Sequence, residues 1–106
     1  MSIWELKSRD ALVDVTDSTT RSFLRGWIDT IEWYVDGGID FDRVYGEFIP
    51  TLTYFQNTKL GIDVKMTTNI LYQLKNDLVT FFDGEEDYVA TQEMTDCLIR
   101  AIECKH

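Results

Sequence analysis

The segment Phe23-Leu24-Arg25-Gly26-Trp27-Ile28-Asp29-Thr30-Ile31-Glu32-Trp33-Tyr34-Val35-Asp36-Gly37-Gly38 decides the fold. Phe23, Leu24, Trp27, Ile28, Ile31 and Val35 recur at intervals of three and four, the repeat of an α-helix with one buried face. Gly37-Gly38 is its stop, because glycine accepts the left-handed backbone that closes a helix. Upstream, Asp17-Ser18-Thr19-Thr20 is rich in residues that cap a helix start.

The same period continues downstream. Asp40 can cap a helix whose stripe is Phe41, Val44, Tyr45, Phe48, Ile49 and Leu52. Pro50 lacks an amide hydrogen and crowds the preceding turn, so a kink or break is expected there, with residues 54–61 as a loop or helix end. Residues 51–55 partly alternate polar and apolar, which leaves a short strand open, although one such stretch makes no sheet. A fourth helix is expected from Val64 or Thr67 to Phe82, with Ile70, Leu71, Leu74, Leu78, Phe81 and Phe82 inside. Asp83-Gly84 ends it, Glu85-Glu86-Asp87 connects, and Thr91 can cap a last helix burying Met94, Cys97, Leu98, Ala101 and Ile102. At the other end, Ser2 and Glu5 form a possible capping box for a short helix over residues 3–13, with Trp4, Leu6 and Leu12 available for packing. The expected architecture is an all-α bundle of four or five helices, one domain spanning residues 1–106.

Composition agrees with a folded chain. Of 106 residues 44% are hydrophobic and 13% aromatic, whereas an acidic disordered chain is poor in both. Nineteen acids against ten Lys and Arg give a formal net charge of −9. Such a field repels nucleic acid and anionic membranes and attracts basic proteins; the plainer reading is that it keeps a small protein soluble. No apolar run approaches the ~20 residues of a membrane span. The opening Met1-Ser2-Ile3-Trp4-Glu5 has no basic region ahead of an apolar run, so no signal peptide is read and a cytoplasmic location is expected. Cys97 and Cys104 fall in one expected helix, which separates them by ~10 Å. A disulfide needs roughly 7 Å between Cα atoms, so both are expected reduced and at least partly buried.

Catalytic chemistry finds little support. The only histidine is His106, the last residue, which removes Ser-His-Asp and Cys-His schemes and histidine-rich metal sites. No phosphate loop or dinucleotide fingerprint is present, and neither Asp36, Asp40 and Asp42 nor Asp83, Glu85, Glu86 and Asp87 matches a calcium-binding loop. No enzyme activity, cofactor or metal is expected. Both acid groups are instead natural contacts for a partner's Lys and Arg. Trp33 stands apart from the core stripe of its helix, with Asp29 and Asp36 as surface neighbours. Either another helix covers it or it is an interface residue with a charged rim.

Small size, acidity and helicity together resemble the immunity proteins of bacterial toxin systems, of the colicin and contact-dependent growth inhibition types. Gly38-Ile39-Asp40-Phe41-Asp42-Arg43-Val44-Tyr45-Gly46-Glu47-Phe48 looks like the second-helix region of some helical members. The resemblance implies a protein that binds a cognate basic toxin, with a nuclease as the expected partner, and covers its active site without catalysis. It carries no binding residues across; Asp29, Trp33, Asp36, Asp40, Asp42, Asp83, Glu85, Glu86 and Asp87 are candidates from the residues themselves. The alternative is a phage-encoded acidic inhibitor, a DNA mimic or anti-defence protein, ranked second because the acids are interspersed with basic residues. A small enzyme or its accessory subunit is a third class.

Overall fold

A computed structural model describes residues 7–57, 62–82 and 86–104. The helix α1, Lys7–Asp10, continues into a 3-10 turn, Ala11–Asp14. Four long helices follow: α2, Ser18–Val35; α3, Phe41–Asn57; α4, Val64–Phe82; and α5, Glu86–Glu103. No strand occurs among the described residues, and residues 51–55 are helical. The expected capping box at Ser2 and Glu5, and Trp4 and Leu6, lie outside the described residues.

Local chemistry sets the helix ends. Asp17 starts α2 by accepting hydrogen bonds from the amide and hydroxyl of Thr20. Asp36 closes it and Gly37 follows at φ +83°. The Gly37 amide donates to the Tyr34 carbonyl at 3.0 Å and the Gly38 amide to that of Trp33 at 2.8 Å, the paired bonds of a glycine-closed terminus. Asp40 caps α3 through the Arg43 amide at 3.1 Å, and Asp63 caps α4 through that of Met66 at 3.0 Å.

Aromatic contacts give the direction of packing. Tyr34 meets Phe41, Trp27 meets Phe48, and Phe23 stacks on Tyr54 at 4.1 Å. Rising numbers on α2 pair with falling numbers on α3, so the two are antiparallel. Trp27 is 1% exposed; its indole N–H donates to Thr95 Oγ1 at 3.2 Å, and that hydroxyl donates to the Thr91 carbonyl at 2.9 Å. Leu71, Leu74 and Leu78 of α4 and Leu98, Ile99 and Ile102 of α5 are fully buried, and these two helices share the most extensive contact. Lys75 reaches from α4 to Asp96 of α5 at 2.9 Å. The short α1 bridges α2 and α4. Its Ser8 donates from both N and Oγ to Oδ2 of Asp77, at 3.1 and 3.0 Å, while Gln73 donates to Oδ1 at 3.2 Å.

Several expectations are corrected. Pro50 lies inside α3 without ending it. Pro50 and Gly46, whose carbonyl loses its helical partner, are both exposed, so water can donate to that carbonyl at low cost. The expected break at Pro50 does not occur, and α3 runs on to Asn57, inside the span 54–61 expected to hold a loop or helix end. Tyr45 and Ile49, assigned to the buried stripe, are 53% and 43% exposed. The core side of α3 is the narrower line of Val44, Phe48, Thr51 and Phe55. α5 begins at Glu86, so Glu86 and Asp87 belong to a helix rather than a connector, and Thr91 is buried inside α5 rather than capping it. Both cysteines are free, as expected, but Cys104 is exposed and only Cys97 is half-buried.

Two outcomes follow from this packing. Asp77 is 3% exposed, so Ser8→Ala leaves a buried acceptor short of a donor. That should lower stability by about 1–3 kcal/mol and speed exchange of the α1 amides, read by denaturant titration and hydrogen exchange. Hydrogen bonds from Thr20 hold Asp17, and the hydrogen bond from Lys75 holds Asp96, below the ordinary value of 3.8. A depressed folded-state value means stability that is whole above the unfolded value and lost as pH falls through the folded one. The melting temperature should fall as pH drops below about 4, and less steeply in Asp17→Asn and Asp96→Asn.

Candidate functional site

At about 100° per residue, burial of Leu24, Trp27, Ile28 and Ile31 turns Trp33 away from the core. Among the described residues no helix covers it; it is 54% exposed. The chain then reverses tightly. A Cβ on Gly38 would lie 3.4 Å from the Trp33 carbonyl oxygen, and Ile39 tucks against the core. The Asp40 cap sends α3 back along α2, which brings Arg43 and Glu47 alongside Trp33. A groove of about 140 Å³ results, lined by Gly26, Asp29, Thr30 and Trp33 of α2, Ile39 of the turn, and Arg43 and Glu47 of α3. The Thr30 hydroxyl is committed to the Gly26 carbonyl at 2.8 Å.

The candidate acids fall into different situations. Asp29 is half-buried and held at 2.6 Å by Arg9, which also reaches Glu32 at 3.3 Å. Burial works to lower the Arg9 pKa, but the hydrogen bond to Asp29 and the charges of Glu32 and Asp29 outweigh it and raise the pKa above the ordinary guanidinium value. Asp29 is thus part of an internal clamp between α1 and α2. Asp36, Asp40 and Asp42 are exposed around the α2–α3 turn; Asp40 also caps α3. Asp83 and Glu85 lie outside the described residues. Glu86 and Asp87 occupy the first turn of α5. Phe48 and Thr95 both meet Trp27, while further along Leu52 and Gln56 share a trough with Ala101 and Cys104. So α3 and α5 run parallel, and the start of α5 lies at the same end of the bundle as the α2–α3 turn.

Gly26, Arg43 and Glu47 escape the sequence reading. The available signal is Gly26, a glycine in the middle of an amphipathic helix, where it is less favourable than alanine by about 1 kcal/mol. Nothing lies within 4 Å of a Cβ built on it, so helix packing does not require it.

Other depressions offer less. One of about 130 Å³ between the starts of α2 and α4 is lined by Asp14, Asp17 and Asp63 among others, but Asp17 and Asp63 are engaged as helix caps. Open troughs flank α5, and the one beside α4 contains the Lys75–Asp96–Arg100 ion-pair chain. Among the described residues no three His, Cys, Asp or Glu side chains converge to hold a metal, and no helix is long and apolar enough to cross a membrane. No protein-family model, curated protein or solved structure matches the chain.

The open space at Gly26 gives a direct stability test. Gly26→Ala should raise stability by about 1 kcal/mol, read as a higher denaturant midpoint with an unchanged slope.

Proposed function

We propose that the protein is a stoichiometric inhibitor that binds a basic protein through the Trp33 end of the bundle. In the form the sequence resemblance suggests, it is an immunity protein that neutralises a cognate nuclease toxin by covering its active site. The observation that carries this reading is Trp33 itself, more than half exposed beside a groove and next to the exposed acids Asp36, Asp40 and Asp42. Interface energy concentrates in such residues: a buried aromatic of this size covers about 150–250 Å², and its truncation at a hot spot costs about 2 kcal/mol or more. The surrounding acids supply encounter rate and register, since exposed charges add little affinity each. A net charge of −9 extends that steering to the whole chain.

Asp29 takes a different role in this reading from the surface acids. Arg9 already holds it, so its work is to fix α1 against α2 beneath the docking face, and the steering acids are Asp36, Asp40 and Asp42.

Binding to a cognate basic nuclease, measured by surface plasmon resonance, checks the proposal. Trp33→Ala should weaken affinity by about 2 kcal/mol, roughly 30-fold, mainly through faster dissociation. Asp36→Asn with Asp42→Asn should mainly slow association, and added salt should do the same. Binding that ignores Trp33→Ala in a fully folded variant rejects this face. Competition by duplex DNA that tracks the acids but not Trp33 would favour a nucleic-acid mimic instead.

A further inference from the structure

The groove beside Trp33 has a size and a chemistry of its own. Its volume of about 140 Å³ equals four or five waters at about 30 Å³ each. It is well below the roughly 300–1,000 Å³ of pockets that take small-molecule ligands. It is room for the end of one long side chain. Trp33 and Ile39 give it apolar walls. Gly26 leaves space where any other residue would intrude, and helix packing gains nothing from that glycine. Asp29 is held by Arg9, whereas the exposed Glu47 carboxylate has no ion-pair partner among the described residues. Arg43 is the one cation in the lining.

We propose that this groove is a socket for a single arginine side chain of the partner, stacked on Trp33 and neutralised by Glu47, in the space kept open by Gly26. The inference rests on the Trp33 face being a binding surface and adds what that surface recognises. A planar guanidinium suits the site better than a compact ammonium, because it stacks on an aromatic face while donating sideways to a carboxylate. Arg43 opposes the incoming charge, so its removal should improve the fit.

The probe is N-acetyl-arginine amide, titrated into the isotope-labelled full chain and followed by two-dimensional NMR. Its neutral isostere, N-acetyl-citrulline amide, is the control. The arginine probe should shift the Trp33 indole N–H and the Gly26 and Glu47 amides saturably, and the citrulline probe should not. Glu47→Gln should weaken binding about five-fold, the size of one solvent-screened contact between unit charges, and Arg43→Gln should tighten it by a similar factor. Gly26→Leu should abolish these shifts while peak dispersion elsewhere stays that of the folded chain. Equal shifts with citrulline, or arginine binding indifferent to both Glu47→Gln and Gly26→Leu, would overturn the socket. The two proposals fail separately. A basic nuclease that needs Trp33 but tolerates folded Gly26→Leu removes the socket and leaves the binding face. A working arginine socket on a chain whose Trp33 face binds no basic protein removes the inhibitor reading and leaves the socket.

Discussion

Burial of Trp27 sets the orientation of everything that follows it. Its ring lies against Phe48 of α3 and its indole N–H reaches Thr95 of α5, so one side chain ties three helices together. Large aromatics with a satisfied polar atom contribute area and direction at once. Fixing Trp27 inward fixes the rotation of α2. Six residues later along the same helix the direction has turned by about 240°, and Trp33 must face out. The exposed tryptophan is therefore a geometric consequence of the core.

Four buried threonines satisfy their hydroxyls locally. Thr30, Thr51, Thr68 and Thr95 each return a hydroxyl to the carbonyl four residues earlier in their own helix. Among the described residues no buried side-chain nitrogen or oxygen lacks a partner. Threonine used this way packs like valine without leaving a bare hydroxyl. Ion pairs span the seams between helices, where Arg9 meets Asp29 and Glu32 and Lys75 meets Asp96. Asp36, Asp40 and Asp42 lie exposed at the surface.

Most of the fold was legible because it rests on period and punctuation. The stripe of α2, its closure at Gly37 and the cap at Asp40 are local patterns, and local patterns survive tertiary packing. Pro50 misled because the cost of a helical proline depends on where its orphaned carbonyl points, which the sequence does not state. Thr91 misled because a threonine that can cap can equally be buried inside a helix. Tyr45 and Ile49 share the helical period with the core, but α3 is covered over a narrower arc than that period allows. The candidate site was half legible. Trp33 stood out from its own helix, but the pairing of Asp29 with Arg9 joins residues twenty apart in sequence, and the groove needs α3 laid against α2 before Gly26 and Glu47 meet.

Trp27 and Trp33 also give the protein an optical signature. One indole sits in a dry interior with its N–H bonded to a hydroxyl; the other faces water. Unfolding brings Trp27 into water and moves its emission to longer wavelength. Covering Trp33 removes water from its ring and moves emission the other way. For these two indoles, loss of structure and occupation of the exposed face displace emission in opposite directions.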